Sequence, residues 1–240
     1  AAMSGRLALD LARWTDVHAG VGLLAWVGVL IASVGRVVMP MFQGAMPAPA
    51  KAQVAWLGAV ALGLPVLATA AVTYALAADG ATLAAVFALG GLWLQSRSRK
   101  PLQAALPSAW RAGLLAILAA AIALVAGESR LALALGLGAG LPLLVLSMLV
   151  EISAFLGWIE LHRRCGRGLQ LPGVATLLPP ARRLALRNRF LAAAFALPLA
   201  VAWSSAWTAA LAGLAWLAAC LQLAADQHGL ARRVRDFAAA

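Results

Sequence analysis

Residues 132–158 read ALALGLGAGLPLLVLSMLVEISAFLGW, a run of 27 residues that carries a single charge, Glu151. The hydrocarbon core of a bilayer is about 30 Å thick, and a helix crosses it with roughly 20 apolar residues. Lipid offers no partner for backbone N–H and C=O groups, so such a segment has to satisfy them internally as a helix. This stretch therefore predicts a membrane-spanning helix.

Six further apolar segments flank this one. The seven predicted spans cover residues 17–39, 53–77, 81–95, 110–127, 132–158, 190–206 and 207–226. Hydrophobic residues make up 64% of the 240 residues and charged residues 11%, and the mean hydropathy of +0.91 is far above that of a soluble domain. The chain is predicted to be all-α, a polytopic transmembrane helix bundle of about seven spans, with residues 1–240 in a single domain.

Positive charge is distributed unevenly among the loops. An alternating seven-span topology places 16 of the 19 Lys and Arg residues on one side, from Arg36 and Lys51 to Arg235 near the C-terminus. Cytoplasmic loops carry such an excess, so we expect the N-terminus outside and the C-terminus inside. The net charge of +11 then reflects orientation in the lipid bilayer, and no nucleic-acid partner is expected. Residues 4–16 predict an interfacial helix on the outer face, with Trp14 at headgroup depth.

The three histidines lie at two different levels of the predicted bundle. His18 opens the first span on the outer side, whereas His162 and His228 follow the fifth and seventh spans on the inner side. About 30 Å of hydrocarbon separates the two levels, so His18 cannot share a metal or a haem with either of the others. No metal site, catalytic residue or resident cofactor is predicted. His18 is either a structural residue or a contact to haem or metal beside a partner chain.

Charges and small residues inside the spans are the remaining candidates. Arg36 and Glu151 lie at similar depth in the first and fifth spans, and intramembrane charges are functional candidates by default. We expect an interhelical ion pair between them, with a proton pathway through Glu151 as the alternative. Gly136 and Gly140 have the GxxxG spacing that permits close helix packing, and a ligand-lining role is the alternative.

Tryptophan positions also allow two interpretations. Five of the nine tryptophans fall at predicted span ends, where aromatic belts belong; these are Trp14, Trp110, Trp158, Trp203 and Trp207. An aromatic cage around a cofactor or quinone is the alternative.

Four segments resemble poorly characterised bacterial relatives of haem–copper oxidase subunit I, near the NnrS-like branch. The first is VHAGVGLLAWVG at 17–28, followed by VVMPMFQ at 37–43, similar to that family's His-Ala-His helix and its Val-Pro-Met-Phe-Gln exit. The second is the basic RSRKP at 97–101 ahead of Trp110. The third is MLVEI at 148–152 with FLGWIEL at 155–161, and the fourth is the loop at 166–179. The resemblance covers most of the chain from residue 17, and only the later part of longer family members.

Departures from the family pattern fall on its ligand residues. Gly20 stands where the family has a second histidine, Glu160 where a histidine follows the tryptophan, and Glu151 where it has a lysine. The resemblance therefore implies a redox scaffold in the bacterial inner membrane that has lost its metal centres. We expect a non-catalytic accessory or structural subunit of a respiratory or other electron-transfer complex, contacting other membrane subunits through the small residues at 136–140. The alternatives are an electron-transfer subunit that uses His18 to contact haem b or quinone at a partner interface, and a small-solute transporter or channel.

Overall fold

A computed structural model describes residues 11–69, 73–99, 101, 103–165 and 170–239. All regular secondary structure in these residues is helical. The α-helices are α1 (Leu11–Gly20), α2 (Val29–Val38), α3 (Ala50–Thr69), α4 (Thr73–Ser96), α5 (Ala105–Val125), α6 (Ser129–Leu135), α7 (Leu141–Arg164), α8 (Val174–Leu177), α9 (Pro180–Trp203) and α10 (Ala206–Ala239). The all-α prediction is confirmed for the described residues.

Six of the helical segments in the described residues are long and apolar enough to cross a membrane. They are Val17–Gln43, Ala77–Ser96, Ala105–Val125, Ser129–Arg164, Pro180–Trp203 and Ala206–Phe237. The second predicted span corresponds to α3, whose apolar part, Ala50–Val66, is shorter than the others. The helices extend beyond several predicted spans, because polar residues at the ends of a helix do not interrupt its backbone hydrogen bonds.

Two of the six segments contain π-helical turns. Val21–Gly28 and Met39–Gln43 adjoin α2, and Gly136–Gly140 joins α6 to α7. Pro40 lies within the second of these turns, and Pro142 is the second residue after the third. Proline cannot donate the backbone bond that an α-helix needs, and a π-helical turn within an α-helix is one form that the altered hydrogen-bond ladder takes.

The predicted outer interfacial helix is only partly within the described residues. Residues 4–10 lie outside them, and Leu11 to Asp16 continue without a break into the first long helix. The interfacial position of these residues stays a prediction. Trp14 is 38% exposed at this end.

The helix contacts bring the basic segments to one end of the bundle, here called the basic end. Backbone Arg99 N–H donates to Gly44 O at 3.3 Å, and Arg187 Nη1 donates to Gln103 O at 3.4 Å. Arg182 pairs with Asp226 of α10 at 3.4 Å. The segment after α2, the end of α4, the beginnings of α5 and α9 and the part of α10 around Asp226 therefore lie close together.

Tight turns join helices at the opposite end. Gly127 has a φ of +83° between α5 and α6, a conformation that residues with a Cβ rarely adopt. Ser204 has a φ of 49° between α9 and α10, and its backbone N–H donates to Val201 O at 3.2 Å. Trp203 and Trp207 flank this turn and are 71% and 81% exposed, as expected for an aromatic belt.

Candidate functional site: an apolar cavity between four helices

A cavity of about 300 Å³ lies between α2, α3, α4 and α5. This volume is at the lower end of the range of about 300–1,000 Å³ for small-molecule pockets. The lining is almost entirely apolar, and it consists of Ile31, Ala32, Gly35, Arg36, Met39, Met46, Ala48, Pro49, Ala52, Gln53, Trp56, Val86, Phe87, Gly90, Gly91, Trp93, Leu94, Trp110 and Leu114. Because Met46, Val86 and Trp93 are 63%, 52% and 48% exposed, the cavity is open at the surface of the bundle.

Small residues create the space. A Cβ at Gly91 would lie 2.8 Å from Leu114 Cδ1, so this glycine lets α4 approach α5. A Cβ at Gly35 would lie 3.3 Å from Trp110 Cη2 on the side of α2. A Cβ at Gly90 would meet no atom within 4 Å. The helices therefore pack closely at Gly35 and Gly91, and the volume beside Gly90 remains open.

Aromatic side chains form much of the wall. Trp56 Nε1–H donates to Leu83 O at 2.9 Å, and the Trp56 ring lies 5.7 Å from that of Phe87. Trp93 lies beneath the guanidinium of Arg97, whose Cζ is 4.0 Å from the ring centroid. The predicted position of Trp110 in an aromatic belt is wrong, because Trp110 is only 3% exposed and packs into the core.

Arg36 provides the polar part of the lining. Its Nη1 donates to Ala48 O at 3.0 Å and to Gln53 Oε1 at 2.9 Å. Gln53 Nε2 donates in turn to Ala32 O at 3.2 Å. Both acceptors of the Arg36 guanidinium are neutral, so this network orients its positive charge without neutralising it.

Two buried glutamines hold the helices together at the basic end. Gln43 is 0% and Gln95 2% exposed. Gln95 Nε2 donates to Gln43 Oε1 at 3.0 Å and to Pro107 O at 3.1 Å, and the Ser98 hydroxyl donates to Gln43 O. These bonds connect the ends of α2 and α4 to the first turn of α5, and they fix three of the elements around the cavity.

The predicted Arg36–Glu151 ion pair is not formed. Glu151 is 7% exposed. It forms a salt bridge with Arg183, whose Nη1 donates a hydrogen bond to the Glu151 carboxylate. Arg183 also donates to Leu178 O at 2.9 Å and to Val174 O at 3.2 Å. The prediction rested on the similar depth of Arg36 and Glu151 in the membrane. The partner of a buried charge depends instead on which helices are neighbours. Here α9 lies beside α7, and its Arg183 reaches Glu151.

The three histidines lie apart from the cavity lining. His18 is exposed on α1 and lies 13 residues before Ile31, the first lining residue of the same helical segment, which corresponds to about 20 Å. His162 is exposed near the end of α7, where its Nδ1 lies 2.9 Å from Trp158 O. Among the described residues, no group of three or more His, Cys, Asp or Glu side chains could hold a metal ion.

The small residues at 136–140 pack inside the chain. A Cβ at Gly140 would lie 2.7 Å from Ile117 Cγ1 and 3.1 Å from Gly113 O, and one at Gly136 would lie 3.5 Å from Ala120 Cβ. This stretch therefore packs closely against α5, as its GxxxG spacing indicates, while Leu137 is 40% exposed. A lateral contact with another subunit stays a prediction.

Comparison with known proteins adds no family: no protein-family model, no curated protein and no solved structure matches this chain. Reasoning from the sequence singled out Arg36 but missed the cavity, Gln53 and the Gln43–Gln95 pair. In the sequence, Gln43, Gln53 and Gln95 stand out only as polar residues at the ends of apolar spans. This position does not indicate which of these side chains contact one another.

Proposed function

We propose that this chain is a non-catalytic accessory subunit of a membrane complex, and that it holds a lipid-soluble amphipathic molecule between α2, α3, α4 and α5. The cavity is the observation that carries this proposal. Its apolar and aromatic lining suits a hydrocarbon or ring system, and Arg36 offers hydrogen-bond donors to a polar head. An apolar and aromatic wall with one oriented cation favours binding over bond-making chemistry.

The proposed setting is the bacterial inner membrane, with seven spans, the N-terminus outside and the C-terminus inside. Support for this orientation comes from the basic end, where the contacts gather the segments that contain most of the lysines and arginines. In this arrangement α3 supplies the second of the seven spans, in addition to the six long helical segments, and Arg36 belongs to the cytoplasmic half of the membrane.

Association with a respiratory or other electron-transfer complex rests on the resemblance to the oxidase-like family. The cavity adds a reason to consider the quinone alternative, since a quinone is itself a lipid-soluble ring with polar carbonyl groups. The residues that would contact it are those of the cavity wall, and not His18, which is exposed on α1.

A cavity-filling variant tests the proposal. The full chain is purified from membranes in a mild detergent, and its bound lipid-soluble molecules are extracted and identified by mass spectrometry. Gly90→Leu places a side chain in open space within the cavity and should remove the bound molecule without disturbing the fold. Gly58→Leu is the matched control, because it also meets open space but does not line the cavity.

Retention of one molecular species in the wild type and Gly58→Leu, and its loss in Gly90→Leu, would support the proposal. The same extract from all three proteins would contradict it. Co-purification of other membrane subunits with the wild type tests the accessory role separately.

A further inference from the structure

We infer that the cavity binds the acyl chain of an acidic lipid, with the anionic head group held by Arg36. This inference rests on the proposed function and specifies the class of ligand. Four observations support it: the free edge of the Arg36 guanidinium, the way that guanidinium is held, a second cation near the lining, and the shape of the apolar volume.

The hydrogen bonds of Arg36 leave one edge of its guanidinium available. A guanidinium has five N–H donors, two of them on Nη1. Nη1 donates to Ala48 O and Gln53 Oε1, while Nε and Nη2 have no acceptor among the described residues. Two parallel N–H bonds from such an edge match the oxygen atoms of a phosphate or a carboxylate.

This edge is held in place before any ligand binds. Gln53 fixes the guanidinium from α3, and Gln53 is itself anchored to Ala32 O at 3.2 Å. The contact with Ala48 O ties it to the segment between the first long helix and α3. An oriented donor loses less conformational freedom on binding than a mobile one.

The charge of Arg36 has no counterion among the residues that the structure describes. The ion pairs of the described residues are Arg163–Glu160, Arg164–Glu160, Arg182–Asp226 and Arg183–Glu151. Arg97 adds a second positive charge, because its guanidinium lies 4.0 Å above the ring of Trp93, which lines the cavity. A cation facing an apolar space in a membrane favours an anionic partner.

The apolar volume continues from Arg36 toward the middle of the bundle. Along α4 the lining runs from Trp93 through Gly90 to Val86, away from the basic end, and Trp56 closes it from α3. A volume of about 300 Å³ that is open at the surface of the bundle suits part of a single acyl chain, with the head group beside Arg36 at one side. A quinone, whose carbonyl groups are neutral, would leave the charge of Arg36 uncompensated.

Tryptophan quenching by brominated lipids tests the inference. The full chain is reconstituted in nanodiscs of phosphatidylcholine that contain either phosphatidylglycerol or a free fatty acid with a brominated acyl chain. Brominated phosphatidylcholine is the neutral reference. Because Trp56, Trp93 and Trp110 line the cavity, bromine bound there should quench them. Wild-type protein should prefer at least one acidic lipid over phosphatidylcholine on the order of tenfold, and the stronger of the two identifies the head group as phosphate or carboxylate.

Three variants separate specific binding from general attraction by a positive surface. Arg36→Gln should abolish the preference, and Arg36→Lys should lose most of it, because lysine keeps the charge but lacks the bidentate edge. Arg111→Gln removes an exposed charge that does not line the cavity and should keep it. Circular dichroism of each variant verifies the helical fold.

The outcomes distinguish the two proposals. Quenching by acidic and neutral lipids alike that Gly90→Leu abolishes would overturn the acidic-lipid inference and leave the proposed binding function standing. An equal loss of preference in Arg36→Gln and Arg111→Gln would also overturn the inference. Quenching that Gly90→Leu does not change would overturn both.

Discussion

At the scale of single residues, the buried carboxylate of Glu151 depends on one partner. Arg183 reaches it from the first turns of α9 and also binds the carbonyl groups of Val174 and Leu178. One cation therefore neutralises a carboxylate in α7 and anchors the short helix α8. Removing either residue leaves the other charged, buried and without a partner. This destabilises the fold more than replacing both residues with apolar ones.

We expect Glu151→Gln to lower the free energy of unfolding by about 3 kcal/mol. Reversible unfolding in mixed detergent micelles, followed by circular dichroism, measures the change. The double variant Glu151→Gln/Arg183→Met should be less destabilised than the two single losses added together, because no unpaired charge remains. Glu128→Gln, which alters an exposed carboxylate at the opposite end, is the control, and equal effects in Glu151→Gln and Glu128→Gln would contradict the expectation.

At the scale of helices, close packing depends on individual glycines. Gly140 lies against Ile117 and Gly113 O of α5, so the helix that contains α6 and α7 approaches α5 more closely than any side chain at this position would allow. Gly213 of α10 is also helical, but a Cβ there would meet nothing within 4 Å. The two positions form a natural pair for comparison.

Gly140→Ala should lower the free energy of unfolding by about 1–3 kcal/mol, since the added methyl group overpacks the contact with α5. Gly213→Ala should be neutral or stabilising by about 0.5–1 kcal/mol, because alanine is the better helix former. The same unfolding assay compares them. Equal stability of the two variants would show that the α5 contact adapts to the extra methyl group.

The helices were largely predictable from the sequence, but their neighbours were not. The predicted span 110–127 corresponds to α5, Ala105–Val125. It could be predicted because the length and hydrophobicity of a segment can be read directly from the sequence. The partner of Glu151, the burial of Trp110 and the Gln43–Gln95 bond depend on which helices lie side by side. Alanine and leucine dominate most spans, so their patterns hold little information on adjacency.

At the scale of the whole molecule, the contacts place the basic segments together and the tight turns at Gly127 and Ser204 away from them. In the proposed orientation the turn after Trp203 faces the outside of the cell. Both the helix order and the charge distribution favour this arrangement.

Reporter fusions in a bacterial host test this orientation. Green fluorescent protein fused after Ala240 should fluoresce in the cytoplasm, and alkaline phosphatase inserted at Ser204 should be active outside. Fluorescence lost at the C-terminus together with phosphatase inactive at Ser204 would mean the reverse orientation. Loss of only one of the two signals would instead mean that both positions lie on the same side of the membrane, with an even number of spans between them.

The last helix is longer than a bilayer is thick. Its 34 residues correspond to about 51 Å, against a hydrocarbon core of about 30 Å. Because the helix is long, a change of 10° in its tilt displaces one end by about 9 Å relative to the other. Small adjustments of α10 within the lipid would thus be magnified at Arg232, Arg233 and Arg235, where a spectroscopic label could follow them from the aqueous side.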